Sequence, residues 1–206
     1  MAKRFLILLW LPALAGIVYF GLTKAASLAV YLLGFMEVAK REPTNNWSHV
    51  AIIQMTGVAL LGWLPLEEAG FLAVIVFTND TAAYFGGQLG NFCAPMRRRI
   101  FPKASPKKTW GGALYGLVAA GLASWYGAQL LGISPWTSLG MGLAIAGFAI
   151  FGDFTGSKFK RSQGVKDSGE GLFTSGLFPG HGGVLDRFGA LGMATLAWPL
   201  LKAALV

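Results

Sequence analysis

The sequence predicts an all-α integral membrane protein, a bundle of about seven transmembrane helices, and three observations carry that expectation. Hydrophobic residues make up 54% of the 206 positions and charged residues only 13%, where a soluble domain carries roughly 25% charged residues. The apolar residues fall in long runs, and a membrane-spanning helix needs about 20 of them. The lysines and arginines sit between the runs and alternate strongly in density from one gap to the next. Too few charges remain to coat a water-facing surface, so a soluble enzyme and a disordered chain are both excluded. The 29 glycines follow no G-X-Y period, which excludes collagen.

Taken in order, the candidate spans are residues 5–22, 25–39, 48–66, 70–89, 111–132, 135–155 and 187–205. The first follows Met1-Ala-Lys-Arg and is too long for the apolar core of a cleaved leader, so it is expected to be a retained helix. The second is short and contains Glu37, which makes it the weakest of the seven. Glycines and prolines within the runs suit helices packed closely in lipid. No repeat of 20–50 residues and no linker divides the chain. Cys93 has no partner for an internal disulfide, and His49 stands at the start of the third run as an interfacial residue.

Orientation follows from the basic residues. With the N-terminus in the cytoplasm, 15 of the 17 lysines and arginines face inward, leaving Lys24 and Lys202 outside with Glu67 and Glu68. The long polar loops at about 90–110 and 156–186 then both face the cytoplasm. The net charge of +8 thus reads as topology plus an anionic substrate rather than nucleic acid. The expected location is the cell inner membrane, multi-pass, with the site on the cytoplasmic side.

The acids are placed more selectively. Asp80 lies inside the fourth run, Asp153 near the inner end of the sixth, and Asp186 where the chain re-enters the membrane. An aspartate at the bilayer centre costs about 2.5–3.5 kcal/mol on insertion scales, so such groups face polar cavities and serve a function. Carboxylates gathered near many lysines and arginines imply an anion held through a hard divalent cation. Mg²⁺ suits them, since it takes one or two carboxylates and completes its shell with water and substrate phosphates. Lys and Arg would hold the remaining phosphate oxygens. This points to phosphate chemistry at the cytoplasmic lipid surface.

Three segments sharpen the reading. Asn79-Asp80-Thr81-Ala82-Ala83-Tyr84-Phe85-Gly86-Gly87 sets a buried acid before a glycine pair. Ser105-Pro106-Lys107-Lys108-Thr109-Trp110-Gly111-Gly112 opens the fifth run, and its lysines, hydroxyls and exposed helix N-terminal amides are expected to cradle a phosphate. It is not a P-loop, because GxxxxGK[ST] is absent. The third runs from Gly152-Asp153 through Ser157, Lys160, Arg161, Lys166 and Asp167 to Pro179-Gly180-His181-Gly182-Gly183-Val184-Leu185-Asp186-Arg187.

That third segment closely resembles the signature of the phosphatidate cytidylyltransferases, the CDP-diacylglycerol synthases. Its S-x-[apolar]-K-R-x4-K-D half is Ser157 through Asp167, and its P-x-H-G-G-x-x-D-R half is Pro179 through Arg187. The first two segments resemble that family's in the same order. The resemblance covers about residues 70–206 as a catalytic membrane region and leaves 1–69 as N-terminal membrane helices of one integrated domain. It implies a helical membrane enzyme, a homodimer, with a polar cavity open to cytoplasm and lipid. The implied reaction condenses CTP with phosphatidic acid, or a related lipid phosphate, to CDP-diacylglycerol and pyrophosphate. It also implies Mg²⁺, with a second cation as a variant, at Asp80, Asp153 and Asp186. The implied catalytic set is Asp153, Asp186, Lys160, Arg161, Lys166, Asp167 and His181. The implied phosphate-binding set is Ser105, Lys107, Lys108, Thr109 and Arg187.

The chain departs from the family pattern in three places. The stretch Ser168 to Gly176 lengthens the connection before the His-Gly-Gly turn, Gly189 stands where the family commonly has another acid, and the N-terminal part looks abbreviated. These differences question the lipid acceptor and the rate, and suggest a paralogue. A CTP-dependent lipid kinase, which would release CDP, is disfavoured by the complete His-Gly-Gly-x-x-Asp-Arg segment. A non-catalytic partner that binds CDP-lipid is kept open by Gly189 and the longer loop.

Overall fold

A computed structural model describes residues 24–41, 46–89, 95–169 and 182–205. The expected first span at 5–22, Cys93, His181 and most of the lengthened loop lie outside these residues. Within them the chain forms α1 (Lys24–Ala39), α2 (Asn46–Leu61), α3 (Leu66–Leu89), a hairpin of β1 (Arg99–Phe101) and β2 (Ser105–Thr109), then α4 (Trp110–Leu131), α5 (Pro135–Ser162) and α6 (Val184–Leu205). Each helix coincides with one of the last six apolar runs. Two of them, α3 and α5, are long and apolar enough to cross a membrane.

The helices pack as α3 on α4, α4 on α5, and α5 and α2 on α6, with α1 against α2. Between α3 and α4 the backbones nearly touch. A Cβ on Gly112 would fall 2.6 Å from the carbonyl oxygen of Ala83, and one on Gly116 would fall 2.7 Å from Asn79 Oδ1. Only glycine allows that approach, and its four-residue spacing keeps both contacts on one face of α4. The buried core runs through Met55, Leu72, Ile75, Met141, Ile145, Phe159, Leu191 and Trp198. The outer face of α4 exposes Trp110, Leu114, Val118, Leu122 and Tyr126 at four-residue intervals. In water such a stripe would promote aggregation, whereas lipid covers it at no cost.

Two differences from the expected layout bear on the site. First, α5 does not stop near residue 155 but continues to Ser162. A helix of 28 residues is about 42 Å long, against roughly 30 Å of bilayer hydrocarbon. Lys158, Lys160 and Arg161 end the apolar run without ending the helix, because they are good helix formers and Lys160 and Arg161 complement its C-terminal dipole. The 156–186 segment is therefore partly helical. Ser134 starts α5, its Oγ accepting from Thr137 N at 3.2 Å with Pro135 next in line.

Second, the fold is mostly helical as expected, with the addition of one short hairpin within the 90–110 loop. Its strands pair antiparallel, Arg99 opposite Thr109 and Phe101 opposite Ser105, with an irregularity between. Phe101 stacks on Phe154 of α5 at 4.2 Å between ring centroids, which fixes the hairpin against the end of that helix. At the other end of the bundle, Glu68 accepts from Trp198 Nε1 and from Lys202 Nζ, the latter at 2.6 Å. The start of α3 is thereby joined to the end of α6.

Candidate active site

Four helices and the hairpin converge on one hollow, and three of the helices bring charged side chains to it. From α3 comes Asp80, from β2 come Ser105, Lys107, Lys108 and Thr109, from α5 Asp153, and from α6 Asp186 and Arg187. All of these line a cavity of about 660 Å³ whose other walls include Phe77, Ala83, Tyr84, Phe85, Ile100, Ile150 and Phe188. A smaller polar cleft of about 230 Å³ adjoins it, walled by Gly152, Gly156, Ser157, Lys160 and Gly189. Ser105, Lys108, Asp153 and Asp186 belong to both hollows. An apolar-walled space and a polar one thus meet at two lysine-paired acids.

The pairs are Lys108 with Asp153 and Lys160 with Asp186. The first joins the hairpin to α5, the second α5 to α6. Asp80 accepts from Asn79 Nδ2 at 3.1 Å and is close enough to interact with both Asp153 and Lys108. Asp186 is held differently. Besides Lys160, its Oδ2 accepts from Ser168 N at 2.7 Å, Ser168 Oγ at 3.1 Å and Gly183 N at 3.1 Å. The bond from Gly183, just ahead of α6, is the return half of a capping box, formed because Asp186 falls three residues into the first turn.

The next two amides of α6 are taken by a residue from far away. Glu37 of α1, 1% exposed, accepts from Val184 N at 2.7 Å, Leu185 N at 3.1 Å and Ser168 Oγ at 2.9 Å. Its negative charge lies at the positive end of the helix dipole. Gln54 of α2 is also wholly buried. Its Nε2 donates to the carbonyls of Gly152 at 2.6 Å and Gly189 at 3.5 Å, joining α5 and α6 beside both acids. In the sequence Glu37 marks only the weakness of the second run, and Gln54 is not singled out. The signal was there: each is a polar side chain inside an apolar run, the same sign that singled out Asp80.

The expected phosphate cradle of free amides at the start of α4 is corrected. Trp110 N donates to Arg98 O and Gly111 N to Met96 O, each at 3.0 Å, while Gly112 N donates to Thr109 Oγ1 at 3.2 Å. The chain leading into and out of the hairpin folds back over the helix start and satisfies those donors. Ser105, Lys107 and Lys108 of that segment line the cavity, with Lys108 paired to Asp153. Arg161 lines neither hollow; it donates to Ala104 O at 3.4 Å and Val165 O at 3.1 Å, bracing the hairpin and the turn after α5. Lys166 and Asp167 lie in that turn, outside the lining of both spaces.

Among the described residues, no three His, Cys, Asp or Glu side chains are grouped to hold a metal on their own. The donor set nonetheless fits Mg²⁺ in part. Asp80 and Asp153 share an open cavity, which suits an ion that draws its other ligands from water and substrate phosphates. Asp186 fits less well, because four donors already engage its two oxygens. Gly189 supplies no acid. A Cβ there would lie 3.7 Å from Gln54 Nε2, in ordinary contact.

Comparison with known proteins places this arrangement. The family model described as Cytidylyltransferase family matches residues 66–203, from the first residue of α3 almost to the end of α6. A phosphatidate cytidylyltransferase of Helicobacter pylori is 40% identical over 134 residues, covering 62% of this chain and 46% of that protein. One from Pseudomonas aeruginosa is 40% identical over 155 residues, 72% of this chain and 52% of the relative. One from Staphylococcus aureus is 36% identical over 137 residues, 65% and 46% respectively. The chain spans about half the length of the curated relatives it matches. The two acid–lysine pairs and Asp80 all fall inside the matched region, whereas Glu37 and Gln54 fall before it. This chain belongs to the cytidylyltransferase family.

Proposed function

We propose that this chain condenses CTP with phosphatidic acid in the inner membrane, giving CDP-diacylglycerol and pyrophosphate, with the site facing the cytoplasm. The observation that carries this reading is the junction of two unlike hollows at Lys108, Asp153 and Asp186. A lipid phosphate has an apolar body and an anionic head; a nucleoside triphosphate is polar throughout. The aromatic-walled cavity suits the first, and the polar cleft with its lysines suits the charged tail of the second. The named relatives act as phosphatidate cytidylyltransferases, which supports the same assignment.

The chemistry asks little of a base. A phosphate monoester has its second pKa near 6, so the attacking lipid oxygen is already mostly ionised at neutral pH. That oxygen forms a bond to the α-phosphorus of CTP while the bond to the β-phosphate bridge breaks, and pyrophosphate leaves with the electron pair. The obstacle is repulsion between two polyanions. Lys107 and Arg187 would attract the lipid phosphate in the larger cavity, Lys160 the triphosphate in the adjoining cleft, and Lys108 stands where the two meet. Asp80 and Asp153 would hold Mg²⁺, which supplies charge neutralisation of the triphosphate. A homodimer in a multi-pass arrangement completes the proposal.

Purified protein given CTP, Mg²⁺ and a panel of lipid phosphates tests it. Pyrophosphate and CDP-lipid should appear in equal amounts with phosphatidic acid. Release of CDP in place of pyrophosphate would reveal a kinase. Inertness with every lipid phosphate, while CDP-diacylglycerol still binds, would establish the non-catalytic alternative.

A further inference from the structure

We propose that Glu37, on a helix ahead of the region matched to the family, is a positioning residue for Asp186. The claim rests on the nucleotidyl-transfer reading above, in which Asp186 belongs to the working site.

The connection is continuous. Glu37 holds the Val184 and Leu185 amides and the Ser168 hydroxyl. Ser168 in turn gives its backbone N–H and its hydroxyl to Asp186 Oδ2. Arg41, just past the end of α1, donates to Ser168 O at 3.0 Å, so α1 grips this residue from two sides. Asp186 then presents its other oxygen to Lys160 in the polar cleft. A serine hydroxyl has a single proton, yet here it faces two carboxylates at 2.9 and 3.1 Å. It can serve only one at a time, so the two acids share it and their positions are linked.

Burial makes the link specific. A carboxylate that is 1% exposed must be offset by donors, and here two helix amides, a hydroxyl and the dipole of α6 supply them. Replacing Glu37 by Gln keeps the shape but turns one acceptor into a donor that opposes Val184 N–H, Leu185 N–H or Ser168 O–H. The start of α6, and with it Asp186, must shift. Small misplacements of reacting groups lower turnover without changing how substrates bind at distant contacts.

The test uses the full chain in lipid nanodiscs, as wild type, Glu37→Gln, Ser168→Ala, the double variant and Asp186→Asn. Amide hydrogen exchange over 183–186 reads placement without turnover. Steady-state rates with CTP, Mg²⁺ and phosphatidic acid read its consequence. Glu37→Gln should speed exchange at those amides and lower kcat by about tenfold or more, with KM for both substrates within about twofold of wild type. The double variant should be no slower than Glu37→Gln alone, because both substitutions cut one chain of contacts. Unchanged exchange, wild-type kcat in a folded Glu37→Gln protein, or effects that multiply in the double variant would each overturn the proposal. If Glu37→Gln does not fold, Ser168→Ala decides: lower kcat at constant KM supports the linkage, and wild-type kcat refutes it. If exchange responds as expected but Asp186→Asn turns over like wild type, the placement stands and the reading of the site fails.

Discussion

Asp153 and Asp186 look equivalent in the sequence, each an acid where an apolar run meets the polar 156–186 segment, yet the fold treats them differently. Asp153 has Lys108 of the hairpin as its partner, with about a third of each side chain exposed (30% and 34%). Asp186 and Lys160 are more enclosed, at 12% and 17%, and Asp186 carries three further donors from Ser168 and Gly183. Under the proposed function, the first acid would exchange its lysine for a cation as substrate enters, since only one partly exposed pair holds it. The second is part of the frame that starts α6. Asp186 therefore combines a place in the proposed site with a structural role that Asp153 lacks, and leaving its donors unsatisfied is costly.

Substitutions separate the two roles. The largest effect is expected at Asp153: Asp153→Asn should lower kcat by on the order of 10²–10³-fold with no change in melting temperature, measured by pyrophosphate release and thermal unfolding. Asp186→Asn should also impair turnover, and in addition lower stability by roughly 2 kcal/mol through its charged hydrogen bonds, seen as an earlier unfolding midpoint. Equal melting curves for the two variants would erase the distinction. Lys108→Met comes next, raising KM for CTP about tenfold through loss of a charge-assisted phosphate contact, with stability nearly unaltered because the pair is partly exposed and screened. Asn79→Ala should be the mildest, removing one hydrogen bond to Asp80 and costing severalfold in rate at limiting Mg²⁺.

How far the sequence carried these conclusions depends on the range of the forces involved. The six described helices follow the apolar runs, a local signal, and α3 and α5 among them are long and apolar enough to cross a membrane. The end of α5 lies beyond the apolar run, because hydropathy stops at Lys158 while backbone hydrogen bonding continues to Ser162. The hairpin is not legible in the sequence, since Pro102, Pro106 and the four basic residues Arg99, Lys103, Lys107 and Lys108 read as loop; its strands are short edges, where proline is tolerated, and it is steadied by Phe101 against Phe154. The acids themselves were legible from their misplaced polarity. What they bond to was not. Glu37 meets Val184 across 147 positions, Gln54 meets Gly152 across 98, and no local pattern encodes such partners. The amides at the start of α4 seemed free for the same reason: Arg98 and Met96 close on them only once the hairpin forms.

The most direct measurement is a Mg²⁺ titration of pyrophosphate release from CTP and phosphatidic acid, run on wild type and Asp153→Asn with a melting curve for each. The account predicts Mg²⁺-dependent turnover in the wild type and near silence at every Mg²⁺ concentration in a variant that melts normally. A folded Asp153→Asn protein that turns over at the wild-type rate, with the same Mg²⁺ response, would contradict it.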